Sequence, residues 1–176
     1  MTNNYRLDPA ERAAVNGWAD AAMPTGVMDG SRVGKRREDW VLGKMAEVAV
    51  CKALNVSPDF TNHADPGCDL DWCNCRLDVK ATAHWHGNLV VAGDVMPGEC
   101  DIFQACHVDI NSNLVTIWGW QLAAVVFDDA DRITNILGNG VDRSYLKYPR
   151  RKLRPGVPAG WDMVIATRRE FQSKDS

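Results

Sequence analysis

The stretch Gly67-Cys68-Asp69-Leu70-Asp71-Trp72-Cys73-Asn74-Cys75-Arg76-Leu77-Asp78-Val79-Lys80 constrains the fold of this chain more than any other. It reads as two short strands, about Cys68 to Trp72 and Arg76 to Ala83. Only Cys73, Asn74 and Cys75 need lie between them, which is hairpin length. Side chains alternate along a strand, so Lys80, two residues beyond Asp78, leaves it on the same face. Asp69 on the first strand and Asp78 on its partner can then converge. Carboxylates are the hard oxygen ligands that Mg²⁺ and Mn²⁺ prefer, so the hairpin carries a chemistry as well as a shape.

The other elements arrange themselves around it. A short helix is expected over 8–22, where Asp8 can cap and Pro9 suits the first turn. Pro24, Gly26 and Gly30 make 23–31 a loop. A longer helix fits about Lys35 to Leu54, its apolar side drawn from Trp40, Val41, Met45, Val48, Ala49 and Leu54, and Asn55 with Pro58 ends it. Asn88 to Ala92 reads as a third strand. Ile102 to Ile110 and Leu114 to Trp120 form a second hairpin across Asn111-Ser112-Asn113. Gln121 to Val126 reads as a short helical turn, Asp128 to Gly160 as mostly loop, and Met163 to Thr167 as a last strand. Helices followed by a mostly antiparallel sheet and a late strand give an α+β or mixed α/β fold.

A chain of 176 residues fits one domain, with 1–34 as an N-terminal helical extension and loop and 128–160 as a basic, loop-rich segment. No run of eighteen apolar residues occurs and the N-terminus has no signal-peptide core, so no membrane span and a cytoplasmic location are expected. In that compartment the six cysteines are expected to be reduced. A net charge of −3 argues against a protein that coats nucleic acid nonspecifically. Basic residues nevertheless cluster, at Arg32, Lys35, Arg36 and Arg37 and again at Lys147, Arg150, Arg151, Lys152 and Arg154. Each cluster is either a solvated face or a surface for a phosphate backbone.

Glu47 adds a third acid. It stands among Met45, Ala46, Val48, Ala49, Val50 and Cys51, an apolar run in which a buried carboxylate needs a partner or a metal. Three acids and Lys80 meet the needs of phosphodiester hydrolysis: held divalent ions to activate water, and a fixed cation beside the phosphate. The segments Gly43-Lys44-Met45-Ala46-Glu47, Gly67-Cys68-Asp69-Leu70 and Leu77-Asp78-Val79-Lys80-Ala81-Thr82 resemble the PD-(D/E)xK nuclease superfamily over about Lys35 to Trp120. The resemblance implies an αβββαβ core and an endonuclease acting on DNA. It assigns metal binding to Glu47, Asp69, Asp78 and the Val79 carbonyl, and the catalytic lysine role to Lys80. It implies Mg²⁺, with Mn²⁺ as a substitute, and allows a homodimer cutting both strands. The small size points to a phage or mobile-element enzyme, working in the host cytoplasm if phage-encoded. The first motif departs from the family, since Pro66 is not adjacent to Asp69.

Rival readings attach to the same residues. Asp71 lies two residues from Asp69 and competes for its place. Lys35, Arg36, Arg37, His84, His86, Arg150, Arg151 and Lys152 are candidates for nucleic-acid contact, and Gln104 for orienting a water. Cys73, Cys75, His84 and His86 offer zinc ligands, with Cys100, Cys106 and His107 in reserve, or cysteines for an iron–sulfur cluster. Trp118 and Trp120 read as core, not as a base-stacking platform. The remaining alternatives are a non-catalytic nucleic-acid-binding or assembly protein on the same fold, and a zinc-stabilised interaction module.

Overall fold

A computed structural model describes residues 3–22, 37–61, 68–93, 95–136, 142–160 and 164. Strand β1 (Asn3–Arg6) leads into helix α1 (Pro9–Ala22). The entry is a reciprocal cap: the Glu11 N–H donates to Asp8 Oδ1 at 2.9 Å, and the Asp8 N–H to Glu11 Oε2 at 2.8 Å. Helix α2 (Arg37–Leu54) ends where Asn55 takes a positive φ of 56°. The Asn55 and Val56 N–H groups then reach back to the Lys52 and Cys51 carbonyls, satisfying acceptors the helix leaves open.

The hairpin follows as β2 (Leu70–Trp72) and β3 (Cys75–Thr82). Trp72 pairs with Cys75, so only Cys73 and Asn74 turn the corner, both at positive φ (49° and 61°). That is the tight turn whose twist suits paired strands. Strands β4 (Leu89–Ala92), β5 (Ile102–Asp109) and β6 (Leu114–Leu122) come next, then α3 (Ala123–Asp129).

The stretch 128–160 departs from expectation. Far from being mostly loop, it carries β7 (Asp131–Ile136), β8 (Asp142–Tyr148), a 3₁₀ turn (Arg150–Lys152) and β9 (Arg154–Pro155). Its charged residues obscure the alternation, yet Leu146 and Tyr148 are buried while Lys147 between them is exposed. Of the strand expected over 163–167 only Val164 is described, and it is helical and buried.

The strands form two sheets. The larger runs β1-β6-β5-β3-β2, with β9 also on β6, and the smaller runs β4-β8-β7. In the larger sheet β3 and β5 are parallel and every other pairing is antiparallel. The parallel pair arises because the chain leaves β3, visits the second sheet through β4 and returns as β5. This is the mixed α+β class expected.

Alternation along β5 divides the core. Cys106 and Val108 join Val79, Val115 and Ile117 against α1 and α2. Phe103 and Ala105 belong to the second core, with Leu89, Val91, Trp118, Val126, Leu146 and Tyr148. Each fully buried valine or leucine contributes about 1.5–3 kcal/mol. Strand β3 is held by the first core through Val79 and by a third, in which Cys75 and Leu77 pack with Ile102, Trp120 and Leu122, and β3 carries the candidate site.

Candidate functional site

A cleft of about 970 Å³ runs between α2, the segment before β2 and strand β3. Glu47 enters from α2, Asp69 from the residue preceding β2, and Asp78 and Lys80 from β3. Val79, Asp71 and His84 also line it. The four residues singled out from the sequence, one on a helix and three at the hairpin, thus share one opening.

Each is held differently. The Asp69 N–H donates to the Leu77 carbonyl at 2.9 Å, and the Val79 N–H donates to Asp69 Oδ2 at 2.6 Å. Hairpin pairing therefore fixes the Asp69 backbone and carboxylate together. Asp78 is only 5% exposed, and its Oδ2 meets Lys80 Nζ at 2.6 Å, the same-face pairing that strand alternation demands. Glu47 bonds the ammonium of Lys44, three residues earlier on α2. Lys44 is itself buried. Its Nζ also donates to the Asp59 carbonyl at 3.2 Å and sits 4.4 Å from the centre of the Trp18 ring. Asp71 is exposed, in register with Arg76. Asp69, not Asp71, is the acid tied into the hairpin.

The electrostatics follow from this packing. Burial first, then the charge of Asp69, push the Glu47 carboxyl up to about 8, although Lys44 pulls the other way. Burial likewise pushes Asp78 up to about 7, against the pull of Lys80, with Asp69 adding repulsion. Desolvation pulls Lys80 down, but the Asp78 and Asp69 charges outweigh it and its ammonium is held above the ordinary lysine value. Asp69 is the common neighbour: it repels both Glu47 and Asp78, whereas the direct repulsion between those two is the smallest influence on Glu47.

Such mutual repulsion in a partly desolvated cleft is what a divalent cation relieves, and the donors are oxygens suited to Mg²⁺. As the side chains stand, however, among the described residues no three His, Cys, Asp or Glu groups form a ready metal shell. Lys44 and Lys80 fill the cationic role, one on each outer acid. The donors for zinc do not assemble either. Cys73 is exposed in the turn, Cys75 is fully buried on β3, and His84 and His86 are exposed beyond it. Burial pushes the Cys51 thiol up to about 11 and Cys100 up to about 12, so both persist as protonated core groups.

The outlying candidates separate. Lys35 and Arg36 lie outside the described residues. Arg37 is tied to Asp20 at 2.6 Å. His84 lines the cleft. Arg150 is folded over Trp118, its guanidinium carbon 4.0 Å from the ring centre. Arg151 is exposed, and Lys152 reaches Asp129 at 3.6 Å. Gln104 is not at the site: fully buried, its Nε2 donates to the Gly119 and Gly156 carbonyls, so its role is to fasten strands. Trp118 and Trp120 are buried, as expected of core.

Two features escaped the sequence reading. Lys44 was visible only as the residue three before Glu47, a spacing that brings side chains together on a helix. Trp85, nearly half exposed beside the cleft, sits between His84 and His86 with no periodic signal to mark it. No protein-family model, curated protein or solved structure matches the chain. Among the described residues no helix is long and apolar enough to cross a membrane.

Proposed function

We propose that this protein is a divalent-metal-dependent DNA endonuclease of the PD-(D/E)xK type. The observation that carries the reading is the meeting of Glu47, Asp69, Asp78 and Lys80 in one cleft, with Asp69 repelling both outer acids. Isolated surface acids would not hold carboxyls this far above their ordinary range.

The chain's own residues would act as follows. Asp69, locked by the Val79 N–H, is the rigid central ligand. Glu47 and Asp78 would supply the remaining carboxylate oxygens once they turn from their lysines. A divalent ion held by these carboxylates would supply Lewis-acid activation of water and positive charge beside the phosphate. Lys80, less buried than Asp78 and anchored by it, orients the attacking water and faces the phosphate. Lys44, released from Glu47, keeps its bond to the Asp59 carbonyl and its place over Trp18. Cutting both strands of a duplex would take two copies, so a homodimer belongs to this proposal.

A second reading has its own support. Lys44 and Lys80 already satisfy Glu47 and Asp78, which is how a non-catalytic nucleic-acid-binding protein could keep such a site. Incubation of plasmid, duplex and single-stranded DNA with Mg²⁺, Mn²⁺ or EDTA separates the two. Metal-dependent cleavage that disappears in Lys80→Ala, with the fold intact by circular dichroism, is the expected result. No cleavage of any DNA form by the wild type would favour the second reading.

A further inference from the structure

The exposed aromatic wall beside the cleft has no part in the hydrolytic reading. After β3 the chain makes a tight turn, with the Gly87 N–H on the His84 carbonyl at 2.9 Å and the His84 N–H on Thr82 Oγ1 at 3.1 Å. The turn sets Trp85 outward, 48% exposed. Yet Trp85 is firmly held. Arg150 Nη1 donates to its carbonyl at 2.9 Å, and the guanidinium lies 5.2 Å from its ring centre. The His107 ring meets Trp85 edge-on at 4.9 Å and stacks on Trp118 at 6.0 Å with 17° between planes. A rigid aromatic surface with an arginine against it is thus presented to solvent.

Next to this wall is a pocket of about 220 Å³, room for roughly seven waters. Lys80, Thr82, His84, Asn88 and Trp118 line it, and the first three also line the large cleft. Gly87 keeps it open: a Cβ there would lie 3.1 Å from Thr82 Cγ2 and 3.4 Å from Trp118 Cη2. Trp118 is 5% exposed, and its Nε1–H finds no acceptor among the described residues.

We infer that this pocket and the Trp85 face receive the base of an unpaired nucleotide adjoining the phosphate at Lys80. The favoured substrate is then single-stranded DNA, or a frayed or flapped end, over intact duplex. The inference rests on the nuclease reading for the position of the phosphate. A nucleotide has what the wall lacks: a flat π-face for Trp85 and a backbone charge that complements Lys80 and Arg150. In a duplex both faces of each base are stacked and its pairing edge is occupied, so the same contacts demand local unpairing.

The test uses the full chain and dye-labelled oligonucleotides in EDTA, where no cutting occurs, with anisotropy as the readout. Three probes share one length: a single strand, a blunt duplex, and a single strand of abasic residues. The single strand should bind about tenfold or more tightly than either of the others. Trp85→Ala should weaken it about ten- to a hundredfold, and Trp85→Phe should restore most of the loss. Equal affinity for intact and abasic strands, or for strand and duplex, overturns the inference with the wild type alone. Cleavage in Mg²⁺ is scored separately. Base-dependent binding without cleavage removes the nuclease reading only, and cleavage without base-dependent binding removes this inference only.

Discussion

Asp78 shows, at the scale of one residue, how a buried carboxylate trades against stability. Its carboxyl is buried, and the ion pair with Lys80 does not fully offset the loss of water. Asp78→Asn keeps the shape and removes the charge. It also leaves the Lys80 ammonium without its partner, so with the fold intact by circular dichroism it should abolish metal-dependent cleavage. Retained cleavage would remove Asp78 from the site. Glu47 obeys the same logic with a definite sign. Both groups have folded-state values raised above those of an unfolded chain, to about 8 and about 7. Between about pH 4 and pH 8 the folded protein therefore binds more protons, and stability falls as pH rises through that window. Metal-free protein should melt higher at pH 5.5 than at pH 8. Mg²⁺ should raise the melting temperature more at pH 8, where the acids are ionised, than at pH 5.5. Equal metal effects at the two pH values would separate the ion from these carboxylates.

At the scale of elements, the β2–β3 hairpin was the most legible part of the chain. Its strands, its short connection and the shared face of Asp78 and Lys80 all follow from local period and turn length. Helix α2 was nearly as clear, because Asn55 supplies the left-handed residue that ends it. What local pattern could not supply was non-local. The parallel pairing of β3 with β5 depends on where β4 docks, and β7–β8 lay hidden beneath charged residues. The Lys44–Glu47 and Arg150–Trp118 partnerships required the folded chain. Two element-level variants follow. Replacing Cys73-Asn74 by Asn-Gly places residues suited to positive φ in the turn, and should stabilise the protein by about 0.5–1 kcal/mol in urea unfolding without altering cleavage. A destabilised double variant would contradict the turn geometry. Gly119→Ala would place a Cβ 2.3 Å from the Arg154 carbonyl oxygen, and should cost about 1–3 kcal/mol by prying β9 from β6. A neutral substitution would mean that β9 is not seated there.

At the scale of the whole molecule, apolar packing of Cys75, Leu77 and Val79 fixes β3 and leaves Asp78 and Lys80 to a cleft that shares Lys80, Thr82 and His84 with the pocket at Trp118. The acids and the pocket at Trp118 thus meet at Lys80, Thr82 and His84, and this arrangement joins the proposed chemistry to the proposed substrate. Its central claim is that Glu47, Asp69 and Asp78 share an ion. The most direct measurement is the anomalous signal of Mn²⁺ soaked into crystals of the protein. One peak within coordination distance of Asp69, joined by Glu47 or Asp78 as these turn from Lys44 and Lys80, is the expected result. Manganese bound only elsewhere, with both lysine pairs intact, would contradict it.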